Sequence, residues 1–281
     1  MSYRTDLALE LHSQLGEETE GVEKKEKRFK NTLITKIRIT SKQGEEKIGR
    51  PMGNYITVEF GDVEKITDYS EIKIALSESL KALVPKPENI LVVGLGNSDI
   101  TADSIGPATA ARLLATRHIA GEFAEQIGLK GLKKVSVVTP NVLGKTGVEV
   151  AELVEGVVSK IKPQAVIVID ACVSGSINRL FRTIQLCDTG IAPGSGVKNS
   201  RKELSRKNLG VPVIAVGIPT VVEALTLAFE LSGKEPEFNS DMVVTPKDAD
   251  LLVHRISELL ASALNEFLQP EISSEILSAL V

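Results

Sequence analysis

Tryptophan is absent from this chain, aromatic residues make up only 4% of it, and among 281 residues there are two cysteines and three histidines. A core without large aromatics must be built from Val, Ile, Leu and Ala, which suits a buried parallel sheet covered by helices. Two thiols, Cys172 and Cys187, cannot form a disulfide framework, and their spacing fits no zinc or redox motif. Both lie in apolar sequence and read as buried, reduced cysteines, compatible with a reducing cytoplasm. No apolar run approaches the roughly 18 residues that a membrane-spanning helix needs. The first sixteen residues alternate polar and acidic side chains and lack the apolar core of a signal peptide. These features lead to the expectation of a soluble, cytoplasmic protein.

Other absences narrow the chemistry. The formal net charge is -4, and a nucleic-acid binder usually carries a basic face. The clusters Lys24, Lys25, Lys27, Arg28, Lys30 and Arg201, Lys202, Arg206, Lys207 are interleaved with acidic or polar residues, and a single aromatic, Phe29, lies among them, too few for a base-stacking platform. They read as solvated faces, with no direct nucleic-acid partner. No H-E-x-x-H occurs, which excludes a zincin. No G-x-S-x-G elbow occurs either, although Gly194-Ser-Gly196 lies in a glycine-rich loop. None of His12, His118 and His254 adjoins the end of a strand.

What is present is an alternation of strand and helix signals. Residues 1–30 are polar, without sustained period, and read as a loosely docked leader. Alternation over 32–40 and apolar residues over 55–60 predict a small β-hairpin appended to the main domain at about 31–62. A helix is predicted over 71–82, stopped by Pro85 and Pro87. Strands follow at 90–93, 135–138, 165–169 and 213–216, with an edge strand at 180–186. Helices are predicted over 103–116, 147–161, 220–231 and 247–267. The pattern predicts one α/β domain over 31–281: a mainly parallel, twisted sheet with helices on both faces.

Active sites of such sheets gather beyond the C-terminal strand ends. Three strands run into Gly94-Leu-Gly-Asn97, Asp170-Ala-Cys-Val-Ser174 and Gly217-Ile-Pro-Thr220. As a dinucleotide fingerprint the first fails, because its third glycine would fall on Asp99, whose charge repels a pyrophosphate. On composition alone Asp103 reads first as an N-cap or first-turn acid of a helix. Asp170 follows five apolar residues, where a carboxylate must be paired, hydrogen-bonded or used. Two carboxylates from neighbouring strand ends can share a proton and activate a water. Carboxylates also suit hard cations, so a metal at the pair stays open, although no cofactor is required. Cys172 lies two residues from Asp170, which disfavours its thiolate.

Several of these motifs resemble one family. Gly94-Leu-Gly-Asn97 followed by Thr101-Ala-Asp103 and Gly106-Pro107, then Ala165 to Asp170, are similar to signatures of the germination proteases of bacterial spores. The loop Gly190-Ile-Ala-Pro-Gly-Ser-Gly-Val197 resembles the most distinctive loop of that family. Leu209 to Val222 and Met242-Val-Val-Thr-Pro-Lys-Asp248 continue the likeness. The resemblance implies an endopeptidase that degrades small acid-soluble spore proteins during germination, in the spore core. It implies catalytic aspartates at Asp103 and Asp170, and a fold like that of the hydrogenase-maturation endopeptidases. It also implies a homotetramer made as a zymogen that removes its own leader. Family cleavage follows an acidic residue, and Thr5-Asp-Leu-Ala8 with Glu10 matches, which places self-cleavage between Asp6 and Leu7. Gly94, Gly96, Asn97, Gly194, Ser195, Gly196, Pro219 and Thr220 would then line or support the groove. The chain departs from familiar members in the short stretch between Leu231 and Met242. The rival readings are a metal-dependent endopeptidase of the maturation type, a scaffold that binds peptide along a sheet edge without cleaving it, and a nucleotide-dependent enzyme.

Overall fold

A computed structural model describes residues 4–16, 19–84, 87–121, 124, 126, 131–192, 202–237, 240–273 and 276–277. Its centre is one mixed sheet of strands β1 (Val22–Phe29), β2 (Thr32–Ile39), β3 (Gly53–Glu59), β4 (Asn89–Gly94), β5 (Lys134–Val138), β6 (Ala165–Ser174), β7 (Thr183–Cys187), β8 (Val213–Glu223) and β9 (Val243–Val244). The spatial order is β1-β2-β3-β7-β8-β6-β4-β5, with β9 against β8. From β8 through β6 and β4 to β5 every pairing is parallel, as the strand–helix alternation predicts. From β8 outward to β1 every pairing is antiparallel.

The parallel strands are apolar throughout because both faces are covered. Ile167 and Ile169 of β6 face a core formed with the helices Ser70–Leu83, Ile105–Ala110 and Ala249–Leu268. Val166 and Val168 face a second core under the helix Val150–Ile161. No described helix is long and apolar enough to cross a membrane.

The structure corrects several boundaries. The hairpin at 31–62 is not a separate appendage: β3 pairs with β7 over five residues, so its strands continue the main sheet. Strand β7 is therefore interior rather than an edge, and all five of its residues are buried. Part of the 1–30 leader is the edge strand β1, paired with β2 along its whole length. Both faces of β1 are largely solvated, so its sequence carries no apolar alternation to betray it. The rest of the leader is docked: Leu7 and Ala8 are fully buried, and the helix Ala8–Leu15 packs with Ile37, Ile39 and Tyr55.

The helix predicted over 103–116 is shorter. A 3-10 turn at Thr101–Asp103 precedes a helix of only six residues, Ile105–Ala110. Beyond it the amide of Leu114 donates to the Asn265 side chain at 3.0 Å, and Asn265 donates to the Arg112 carbonyl at 3.0 Å. That side chain takes over two backbone bonds a continuing helix would have made. Strands β6 and β8 run well past the predicted ends at 169 and 216, which places Asp170 inside a strand rather than after one.

Candidate active site

Asp170 stands on β6 and is 7% exposed. Its Oδ1 accepts from the Ala171 amide at 3.0 Å. Its register partner on β8 is Gly217, whose partner on β7 is Gln185. Asp170, Gly217 and Gln185 thus form one row across three strands, and residues in such a row point to the same face. With no side chain between them, Asp170 and Gln185 flank a gap two strand spacings wide, roughly 10 Å.

Asp103 ends the turn Thr101–Asp103, which packs against β6 and β8. The Asn97 amide donates to Asp103 Oδ2 at 2.8 Å. Thr220 Oγ1 donates to the Ala102 carbonyl at 2.7 Å. Thr220 lies where the β6–β8 register slips: Cys172 opposes Pro219, and Val173 opposes Val221. A bulge next to a proline re-aims one side chain out of the ladder, and here that side chain ties down the segment carrying Asp103. The exit of β4 completes the junction, with the Leu95 amide donating to the Ile169 carbonyl at 2.8 Å.

Close approach explains the glycines. Gly96 has φ +116°, and a Cβ there would run into the Asp103 carbonyl. A Cβ on Gly94 would meet the Gly106 backbone, and one on Gly106 would lie 2.6 Å from the Ile169 carbonyl. The segments bearing Gly94, Gly96, Asn97, Asp103, Asp170, Pro219 and Thr220 therefore meet at one rim of the sheet. Gly194, Ser195 and Gly196 fall outside the described residues.

The leader crosses this rim. The Asp6 amide donates to the Val173 carbonyl at 2.9 Å, and Asp6 Oδ2 accepts from the Val173 amide at 3.0 Å. Asp6 Oδ1 accepts from Arg50 Nη2 at 3.0 Å, and so does the Thr5 carbonyl. The Asp6 carbonyl accepts from Gln185 Nε2 at 3.0 Å, while Gln185 Oε1 accepts from the Ala8 amide at 2.7 Å. Asp6, Arg50, Gln185 and Gly217 line one cleft of about 120 Å³. Further along, buried Glu10 accepts from Ser174 Oγ at 2.8 Å, the Gly175 amide at 2.6 Å and Arg179 Nη1 at 3.2 Å, and also from Thr5 Oγ1. Glu10 and Ser174 fall in stretches that the sequence singles out, whereas Arg50 and Gln185 belong to no motif. The one available signal was a glutamine in the middle of an otherwise apolar strand.

Burial first, then the negative charges of Asp6, Asp170 and Glu10, hold the Cys172 thiol far above its ordinary range. A neutral buried thiol is no nucleophile. Among the described residues, no three His, Cys, Asp or Glu side chains are grouped to hold a metal ion.

The family described as Germination protease matches residues 5–231. A germination protease from Clostridium acetobutylicum is 37% identical over 317 aligned residues, covering 96% of each chain. One from Caldanaerobacter subterraneus subsp. tengcongensis is 37% identical over all of this chain and 98% of its own. These alignments are longer than 281 residues, so the relatives carry residues that this chain lacks. A NiFe hydrogenase maturation protease from Thermococcus kodakarensis superposes on 66% of this chain and 98% of its own, with TM-score 0.38 and 17% identity. With two relatives matched over 96% or more of both chains, this chain belongs to the germination protease family and is a germination endopeptidase.

Proposed function

We propose that the chain is a zymogen that cleaves its own Asp6–Leu7 bond and that the hydrolytic water is activated by Asp103 and Asp170. The observation that carries this reading is the docking of Asp6 between Val173 of β6, the strand that bears Asp170, and Gln185 of β7. All four of its hydrogen-bonding groups, the amide, the carbonyl and both carboxylate oxygens, are engaged. The Asp6 carbonyl, at the bond proposed to be cut, is thereby held beside the strand that bears Asp170, which supports this reading.

In this scheme one carboxylate takes a proton from water as its oxygen attacks the Asp6 carbonyl carbon. The other, protonated, donates to the Leu7 nitrogen as the C–N bond breaks. The proton count closes, and no redox partner or cofactor enters. The family supports small acid-soluble spore proteins as the substrates, the spore core as the place of action and a homotetramer as the working form. A docked leader keeps those substrates out of the cleft until it is cut.

The test is to incubate purified full-length protein and follow its intact mass. Loss of residues 1–6 is expected in the wild type and absent in Asp103→Asn and Asp170→Asn, whose far-ultraviolet circular dichroism should match the wild type. Wild-type processing in either variant removes that residue from the mechanism. Processing should survive exhaustive chelation, and its loss would assign a metal to the pair. Native mass spectrometry of the same sample should show four chains.

A further inference from the structure

The side chains that hold the leader come from strand β7 (Gln185) and from the bend just before β3 (Arg50), and they are costly to leave alone. Gln185 is 8% exposed, and both ends of its amide are committed to leader main chain: Nε2 to the Asp6 carbonyl, Oε1 to the Ala8 amide. These two groups lie on either side of the Asp6–Leu7 bond. Arg50 gives one nitrogen to the Asp6 carboxylate and to the Thr5 carbonyl. The Val173 amide gives its hydrogen to the same carboxylate. Once residues 1–6 leave, Gln185 Nε2 and the Arg50 guanidinium lose partners, and Gln185 Oε1 keeps the Ala8 amide only while the new N-terminus stays docked; each unmatched polar group disfavours the empty state. A peptide that takes the place of the new N-terminal stretch and presents an acidic side chain, followed two residues later by a free main-chain N–H, restores every one of these bonds.

We propose that Arg50 and Gln185 are the substrate-recognition residues of the mature enzyme, with the leader as a copy of the substrate. Arg50, with the Val173 amide, forms the subsite for a carboxylate side chain immediately before the cleaved bond. Gln185 grips the main chain across that bond, orienting the carbonyl through Nε2. An amide or aliphatic side chain in the Arg50 subsite leaves the guanidinium without its anion, which is how a site built on charged hydrogen bonds rejects a near-isostere. Strand β7 can supply Gln185 here because it lies beside β8, so that Gln185 and Asp170 both face Gly217. This assignment rests on cleavage between Asp6 and Leu7 at the aspartate rim.

Self-processed enzyme is assayed against synthetic peptides carrying residues 2–13, with Asp, Glu, Asn or Leu at the position of Asp6. The wild type should prefer the acidic peptides over the Asn peptide by about tenfold or more in kcat/KM. In Arg50→Met that ratio should fall to within about twofold of unity, and Arg50→Lys should restore part of it. A purely structural Arg50 would lower both peptides alike and leave the ratio intact, which overturns the assignment. For Gln185, a depsipeptide in which an ester oxygen replaces the Ala8 N–H should cost the wild type several-fold in KM and cost Gln185→Ala nothing further, a double-mutant cycle across the contact. An equal penalty in both overturns that half. The wild-type arms read out even where a variant fails to fold: no acid preference, or no ester penalty, is decisive against the proposal. Cleavage at another bond, or in Asp170→Asn, instead brings down the underlying reading of the site.

Discussion

Asp103 and Asp170 are held by different means, and the difference decides which neighbours matter. Asp170 inherits its position from a buried strand, so its placement is as rigid as the sheet. Asp103 sits in a single 3-10 turn and depends on small contacts: the Asn97 amide on its carboxylate and Gly96 against its own carbonyl. Gly96→Ala should therefore act on Asp103 more than on the fold. The new Cβ has no room, and φ +116° is strained for any L side chain at a cost of about 1–3 kcal/mol. The turn is the softer partner and should yield. Peptide cleavage is expected to fall at least tenfold while thermal unfolding remains cooperative and shifts by only a few degrees. Unchanged cleavage kinetics in a folded Gly96→Ala protein would show that the turn has no need of that close approach. In the sequence, Asp170 was legible because a carboxylate after five apolar residues needs a reason to be there. Asp103 was ambiguous, since a first-turn acid looks the same whether it caps or reacts.

At the scale of elements, the bulge in β8 carries the argument. Thr220 is the residue that breaks register with β6, and it is fully buried. Its hydroxyl reaches the Ala102 carbonyl, and its own carbonyl accepts from Thr245 at 2.8 Å. Thr220→Val keeps the shape and the carbonyl bond but removes the tether to the turn. The expected loss is about 1 kcal/mol of stability, a melting shift of roughly 2–4 °C for a chain of this size. Cleavage should fall further than that shift accounts for, because the freed turn carries Asp103. Equal behaviour of Thr220→Val and wild type in both assays would contradict the tether. The glycine and proline of 217–220 flagged this strand end in the sequence, but not the bulge, since register with β6 is a tertiary property. The same limit hid β1 and the interior place of β7. An edge strand with two wet faces has no alternation, and neighbours in a sheet are not neighbours in the chain. The parallel core was readable because burial on both faces writes itself as unbroken apolar runs. Arg50 and Gln185 were not, because only tertiary structure brings a bend before β3 and the middle of β7 together at the leader.

The molecule as a whole is arranged around a cleft in which the charged Asp6, Arg50 and Glu203 stand beside groups that stay neutral. Tyr55, Cys172 and Cys187 all line it, and burial is the leading reason that each holds its proton more tightly than usual. Acidic neighbours add to the effect on Cys172, while the Tyr55 hydroxyl donates to the Pro51 carbonyl at 2.8 Å. In the unfolded chain the thiols lose their protons near pH 9 and the phenol near pH 10. In the folded chain those values are raised, so the folded state binds more protons at alkaline pH. Stability from these groups is fully present below pH 9 and is lost as pH rises beyond it, by up to about 1.4 kcal/mol per pH unit for each group. The melting temperature should therefore be flat between pH 7 and about 8.5 and then fall steeply. Cys172→Ala lowers the plateau by leaving a small cavity, but it should flatten the alkaline decline, because one titrating group is gone. A decline of unchanged slope in Cys172→Ala would mean that this thiol is not held neutral by the fold. Hydrogen exchange should place the first alkaline opening at the residues that Asp6 and Gln185 hold together. The protons that fail there lie under the leader, and its docking is what keeps that wall dry.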